Sequence, residues 1–504
     1  MDLTNLYTSL SYILPEIAVS ASLIVIVALD LIFHKDKKII PYVALFGILL
    51  TIYFVIDQFR ISGFAFPAID ANNFYGMIAV DHFGAFFKII ILISSFFIVL
   101  FSLASDEIEK IKERSGEYYA LMFGMILGML VMISASDLVL IYLSLELLSL
   151  SSYVLAGFTK LRDRNSEASL KYLIYGAVSS GLMLYGISIL YGLTGSTNLY
   201  VINSVLQGPN INVFTLAFSL VLIFVGIGYK ISAAPFHFWT PDVYEGAPIA
   251  ITAFLSVASK AAGFALLIRF IRTTFVTMVD DSSGYWNLIN SFDWKTILVI
   301  ISILTMTLGN FSALWQNNIK RLLAFSSIAH AGYLLLGLVV FSNQGLIAIL
   351  VYFFFYMFMN LGAFLVVMLI ANKSGSEEME DYNGLGYTSP FLAASLTIFL
   401  VSLTGLPPTA GFIGKLYLFI ALVDAKMIAV AIIALLNTVI SLYYYVRIMK
   451  HMYLTKAESN QITIVPNKFT YALVLALLIP VLVFGVYFTP VIDLAKNCIT
   501  ILGL

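Results

Sequence analysis

Fourteen long apolar stretches run through this chain, near residues 11–33, 39–58, 83–104, 118–135, 137–158, 170–194, 211–231, 247–270, 296–315, 321–341, 344–372, 390–424, 425–454 and 468–493. A bilayer core of about 30 Å is crossed by roughly 20 apolar residues in a helix. Backbone inside lipid must satisfy its own polar groups. The pattern therefore predicts an all-α polytopic membrane protein of about 14 transmembrane helices. The longest connectors, near 59–82 and 271–295, run to about 25 residues, too few for a soluble domain. With 61% of its 504 residues hydrophobic and 11% charged, the chain cannot coat itself with a hydrated surface, for which about 25% charge is usual. The first stretch lacks a basic lead-in and a small-residue cleavage site, so it reads as a retained span.

Several function classes drop out at once. The 27 basic and 28 acidic side chains leave a net charge of -1, with no basic excess to neutralise a phosphate backbone. One cysteine, Cys498, and five scattered histidines (His34, His82, His237, His330, His451) offer no ligand set for haem, an iron–sulfur cluster or zinc. Gly226 and Gly228 lie in an apolar helical run rather than in a full dinucleotide-binding motif. No cofactor is expected in this chain, and any associated redox chemistry belongs to another.

Orientation follows from the basic residues, which concentrate in cytoplasmic loops. One set of loops holds seventeen: Lys35, Lys37, Lys38; Lys110, Lys112, Arg114; Lys160, Arg162, Arg164, Lys171; Lys320, Arg321; Lys373; and Arg447, Lys450, Lys456, Lys468. The opposite set holds six, namely Arg60, Arg269, Arg272, Lys295, Lys426 and Lys496. The rich side is expected to be cytoplasmic and both termini to lie outside the cell's inner (plasma) membrane.

Two spans should be broken. Segment 7 runs into Lys230-Ile-Ser-Ala-Ala-Pro235-Phe-His237-Phe-Trp-Thr-Pro241, and segment 12 carries Gly405-Leu-Pro407-Pro408-Thr-Ala-Gly411 at its middle. Proline removes a donor and clashes with the preceding turn. Such breaks survive in a membrane only where protein or a wet cavity satisfies the freed backbone groups. Lying five spans apart, the two are oppositely oriented, as in inverted-repeat transporters. Lysine precedes proline in the first and follows it in the second, so the order of residues does not itself establish a repeat.

Each ionisable group at mid-span costs roughly 2.5–3.5 kcal/mol on insertion scales and needs a reason. Glu146 sits at the centre of segment 5, Lys230 just before one break, Lys260 mid-segment 8 among Ala258, Ser259, Ala261 and Ala262, and Lys415 after the other break. A buried lysine whose carboxylate partner approaches and withdraws can take up and release a proton, which makes these four candidates for a relay. The bland alternative is a static buried ion pair or a lysine reaching a headgroup. His330, beside Ser326, Ser327 and Tyr333, is suited to passing protons near neutral pH, or is a satisfied core histidine. Lys88, near the start of segment 3, reads as a lysine that snorkels. Asp137 reads as a helix cap, His237 as a tie for the segment 7 break, and Glu167 with Lys171 as a surface pair. Glu16, after Pro15, has no account from sequence, and Cys498 reads as inert.

The strings around Leu-Glu146-Leu-Leu-Ser-Leu, Glu167-Ala-Ser-Leu-Lys171-Tyr, Gly228-Tyr-Lys230, Ala234-Pro235-Phe-His237-Phe-Trp239-Thr-Pro241-Asp242-Val-Tyr244, Ser259-Lys260, Asn318-Ile-Lys320-Arg321, Ser326-Ser327-Ile-Ala-His330 and Gly411-Phe-Ile-Gly414-Lys415 carry a further signal. Together they resemble the antiporter-like subunit N family of respiratory NADH–quinone oxidoreductase (complex I), called subunit 2 in mitochondria. The resemblance spans essentially the whole chain. It implies an antiporter-like fold with two inverted five-helix repeats, here 118–270 and 296–454, flanked by three N-terminal helices (1–117) and a C-terminal helix (468–504). It further implies a proton-translocating role in which Glu146 partners Lys230, Lys260 connects, His330 lies on the hydrated axis and Lys415 faces the exit. Other membrane-arm subunits would be its partners. NADH, FMN, the iron–sulfur clusters and quinone would be bound by partner subunits. The alternatives are a subunit of a multi-subunit sodium/proton antiporter, sharing the lysines and breaks, and a non-pumping membrane scaffold.

Overall fold

In a computed structural model, residues 10–33, 37–60, 76–159, 163–209, 211–289, 292–456 and 463–501 are described. Lys35, Lys160 and Arg162 of the orientation count lie outside the described residues, as do His34 and the side chain of Arg60. Helices follow in chain order: α1 Leu14–Ile32, α2 Ile40–Arg60, α3 His82–Ala104, α4 Ser115–Ser134, α5 Leu138–Ala156, α6 Asp163–Thr194 and α7 Val213–Ile231. Then come α8 Trp239–Gly246 and α9 Ile249–Phe275, followed by α10 Trp294–Ala313, α11 Ile319–Val339 and α12 Asn343–Ser374. The chain closes with α13 Pro390–Thr404, α14 Ala410–Asp424, α15 Ile428–Tyr453, α16 Lys468–Val486 and α17 Thr489–Asn497. Among the described residues thirteen helices are long and apolar enough to cross a membrane. Segment 12 is found as α13 and α14, each of 15 residues.

Seven of these helix starts are written in the sequence. Asp81, Asp137, Asn212, Asp293, Asn318, Ser342 and Asn467 each accept a bond from a first-turn amide, as N-cap side chains do. The burial of α9, α11 and α12, whose apolar windows are 100%, 100% and 94% buried, makes them the centre of the bundle. The other spans wrap around them and turn one face outward.

At the first break, α7 ends on Ser232, a non-glycine residue in the left-handed region (φ 60°). The freed groups are tied locally: Trp239 Nε1 donates to the Tyr229 carbonyl at 3.0 Å, Thr240 Oγ1 to Ser232 Oγ at 2.8 Å, and the Ala234 amide to Thr305 Oγ1 of α10 at 2.9 Å. The His237 side chain is no such tie. Its ring stacks on Phe238 and its Nδ1 meets no partner among the described residues, while its carbonyl accepts from the Thr240 amide. At the second break α13 ends on Gly405 in the left-handed region (φ 87°) and α14 restarts at Ala410.

Three further features depart from the sequence reading. The connector after α9 contains a two-stranded antiparallel hairpin, β1 Val276–Val279 and β2 Trp286–Leu288. Residues Leu255–Ser259 of α9 form one wider π-helical turn directly before Lys260. Lys88 does not snorkel: it is 1% exposed, and its Nζ lies 2.7 Å from Glu16 Oε1, so it pairs with the one carboxylate that had no account, between α1 and α3.

Candidate functional site

The five candidate residues fall on five elements lining the buried middle of the bundle. Lys230, in the last turn of α7, points its Nζ at Ser149 Oγ of α5 at 3.4 Å, one turn from Glu146. Its stem lies against Gly263 of α9, where a Cβ would come 2.8 Å from Ile231 Cγ2 and 3.5 Å from Lys230 Cγ, so the close approach of α7 requires glycine there. Glu146 is within electrostatic reach of Lys230 but forms no ion pair with it, and its Oε1 is buried without a hydrogen-bond partner among the described residues. The pair that the family resemblance implies is thus drawn apart in this structure, with a serine hydroxyl holding the ammonium.

Lys260 leaves the π turn and reaches across to α11, donating to the Ser327 carbonyl at 2.8 Å and to Ser327 Oγ at 2.5 Å. Three residues further along α11, His330 is engaged through both ring nitrogens: Nδ1 lies 2.6 Å from Tyr352 Oη of α12, and Nε2 lies 3.4 Å from Tyr445 Oη of α15. Tyr445 Oη in turn lies 2.5 Å from Ser326 Oγ. Each of these hydroxyls can donate or accept, so the imidazole can exchange a proton on either side. Tyr352 also packs on Gly414, the neighbour of Lys415, where a Cβ would come 2.9 Å from its Cδ2.

Lys415, in α14, bridges the second break. Its Nζ donates to the Thr404 carbonyl at 2.7 Å and stands 4.5 Å from the Tyr333 ring centroid. Thr404 is the last residue of α13, so the ammonium satisfies one of the carbonyls left over at a helix C-terminus and sits at the negative end of that half-helix.

Lys230, Lys260 and Lys415 are all 3% exposed or less. Among the described residues, none of the three has an ion-pair partner, and each is held by a serine hydroxyl or a carbonyl. Three other deeply buried cations are paired with carboxylates, while Arg272, 3% exposed, is held by the Ile499 carbonyl at 2.7 Å. Arg269 forks onto Asp81 at 2.7 and 2.8 Å, Lys88 meets Glu16, and Lys320 lies 3.6 Å from Glu377. The sequence reading omitted Tyr352, Tyr356, Tyr445 and Thr404. The spacing of Tyr352, Tyr356 and Asn360, four apart on one helix face, was the available signal.

Residues 135–441, which include all five candidates, match the family described as NADH:quinone oxidoreductase/Mrp antiporter, TM. The NADH-quinone oxidoreductase subunit N 2 of Chloroherpeton thalassium is 49% identical over 99% of this chain and 96% of that protein. The subunit N of Chlorobium chlorochromatii is 44% identical over 100% and 97%. The chain belongs to the subunit N family of NADH-quinone oxidoreductases. Among solved structures, a chain of respiratory complex I from Thermus thermophilus with bound aureothin superposes with a TM-score of 0.77 at 30% identity, over 96% of this chain and all of that one. Fold alone does not separate the subunit N family from antiporters. A chain of the Mrp complex from Dietzia superposes as well, with a TM-score of 0.79, at only 20% identity over 97% of each chain.

Proposed function

We propose that this chain is the proton-translocating membrane-arm subunit N of an NADH–quinone oxidoreductase, with Glu146, Lys230, Lys260, His330 and Lys415 as the relay. The observation that carries the relay is the contrast among buried lysines: Lys88 and Lys320 have carboxylates, while these three have none among the described residues. Removing an ammonium from water costs several kcal/mol, and an approaching carboxylate or loss of the proton relieves that cost. A lysine held only by Ser149, Ser327 or Thr404 can therefore change its proton occupancy with small movements of Glu146 or of a half-helix. Moving one charge against a membrane potential costs on the order of 2.3 kcal/mol per 100 mV. A hundredfold change in proton affinity supplies about 2.7 kcal/mol, so one contact made or broken matches the electrical work.

The two breaks, each closed by a left-handed residue and each next to a relay lysine, support the reading of 118–270 and 296–454 as inverted repeats. The resemblance supports redox partners elsewhere in the complex that bind NADH, FMN, iron–sulfur clusters and quinone, and neighbouring membrane-arm subunits as contacts. The basic asymmetry of the loops supports a bacterial inner membrane location with both termini outside.

The test is Lys260→Met and Lys260→Arg in the assembled complex, read as NADH-driven proton uptake by membrane vesicles. Both should abolish pumping and lower turnover, because guanidinium does not release its proton. Full pumping by the arginine variant would mean that Lys260 supplies charge alone. Glu146→Gln should impair pumping strongly and Glu146→Asp should retain part of it. Pumping at the parent rate in Glu146→Gln would return Glu146 to a structural role.

A further inference from the structure

A cleft of about 540 Å³ opens between α1, α4 and α5 on the outside of the bundle, and none of the relay residues lines it. Val27 and Leu31 of α1, Ala120 of α4 and Leu147 of α5 give it apolar walls. Along α4 it runs from Glu117 to Gly124, seven residues or about 10 Å of helix, parallel to the spans.

Its charge is confined to one end. Asp30, in the last turn of α1, and Glu117, in the first turn of α4, both line the mouth. Each has a cation beside it: Lys37 Nζ lies 2.6 Å from Asp30 Oδ1, and Arg114 Nη2 lies 2.9 Å from Glu117 Oε2. Both cations belong to the basic-rich set of loops, so this end meets the cytoplasmic headgroup layer. Asp30 also stands among the carbonyls left over at the α1 C-terminus, which adds to the negative potential there. An apolar trough upright in one leaflet, charged only at headgroup level, has the polarity of a single phospholipid. The lining charge then selects among headgroups. Two carboxylates oppose a headgroup of net negative charge and attract an ammonium, while Lys37 and Arg114 stand beside them for a phosphate.

We propose that this cleft binds one phospholipid of the cytoplasmic leaflet whose headgroup carries a primary ammonium, phosphatidylethanolamine. The ammonium sits between Asp30 and Glu117, the phosphate faces Lys37 and Arg114, and an acyl chain runs down the trough against Leu147. The lipid fills a gap beside α5, the helix that carries Glu146. The site does not depend on the relay reading, and pumping is not its readout.

The experiment reconstitutes the intact complex into vesicles containing phosphatidylethanolamine or phosphatidylglycerol with the same diazirine-bearing acyl chain. Light-induced adducts on this chain are then mapped by peptide mass spectrometry. Adducts at the exposed Ile24 of α1 and Tyr42 of α2 report ordinary lipid contact. Relative to these, adducts within 117–124 and at Leu147 should be about fivefold more frequent with the ethanolamine lipid, the factor that a partly exposed charge pair supplies. Asp30→Asn with Glu117→Gln should bring the two lipids to parity. Ala120→Phe should remove the trough adducts of both lipids and leave those at Ile24 and Tyr42. Where the double variant does not assemble, Glu117→Gln alone should at least halve the preference. Equal labelling of the parent trough by the two lipids would reduce the cleft to ordinary lipid contact and overturn the site. Absence of trough adducts in the parent complex would mean that a neighbouring subunit covers the cleft or that it stays empty, and would overturn it too.

Discussion

Replacing Lys88 by Met would leave the Glu16 carboxylate buried and alone between α1 and α3, since its partner lies 2.7 Å away and both are almost fully buried. Breaking one side of such a pair costs about 3–5 kcal/mol. The complex carrying Lys88→Met should therefore lose this chain at a markedly lower temperature, and Glu16→Gln with Lys88→Met should recover most of the loss. Whatever assembles should pump with the parent stoichiometry. A pumping defect without a stability defect would mean that the pair belongs to the proton path. The same pair marks what the sequence could not reveal. A lone lysine seven residues into a span looks free to snorkel, and its partner lies 72 positions away, beyond any local pattern. Lys230, Lys260 and Lys415 were legible because a charge deep in an apolar run is conspicuous without its surroundings. Their actual holders, Ser149, Ser327 and Thr404, were not, because hydroxyls and carbonyls occur throughout every helix.

The breaks were legible for a different reason: proline acts on its own helix and needs no partner to be read. The π turn before Lys260 and the hairpin after α9 lack any such local marker. The hairpin strands pair with each other, and its Trp286 amide donates to the Phe341 carbonyl near α12, so tertiary contacts decide their conformation. Within the second break, Gly405 has φ 87°, and a Cβ there would stand 2.7 Å from Lys415 Cδ and 3.4 Å from its Cε. Gly195 has φ 70° but no described atom within 4 Å of a Cβ. Alanine at either position brings about 1–2 kcal/mol of left-handed backbone strain. Only Gly405→Ala also pushes the lysine from the Thr404 carbonyl, a charged hydrogen bond worth about 1.5–3 kcal/mol. Gly405→Ala should thus lose most of its proton uptake, while Gly195→Ala should assemble slightly less well and pump normally. Equal pumping by the two variants would show that the Lys415–Thr404 contact is not part of the path.

Ionic contacts also link helices of the bundle, and they too are partly readable. Glu167 and Lys171, four apart, pair as their spacing predicts, at 2.7 Å. Lys171 also reaches Asp242 at 2.6 Å, and Arg321 binds both Asp242 and Glu245 at 2.7 Å, joining α6, α8 and α11 through partners more than seventy residues apart. These residues, with Lys320 and Glu377, lie at the basic-rich end of the molecule. The connector containing Gln207 lies at the other end, beyond α6. Cys498 allows the orientation to be tested against a silent background. It is fully buried, and burial pushes its thiol up to about 12. It therefore stays protonated near neutral pH, and the thiolate that attacks a maleimide is scarce and sheltered. Cysteines introduced at the exposed positions Glu109 and Gln207 would be the reactive thiols. A membrane-impermeant maleimide added to intact cells should label Gln207→Cys and leave Glu109→Cys untouched until the cells are opened, with the parent chain unlabelled in both cases. Labelling of Glu109→Cys alone in intact cells would invert the whole bundle. The relay would then have to release its protons at the end where Asp242 and Arg321 meet.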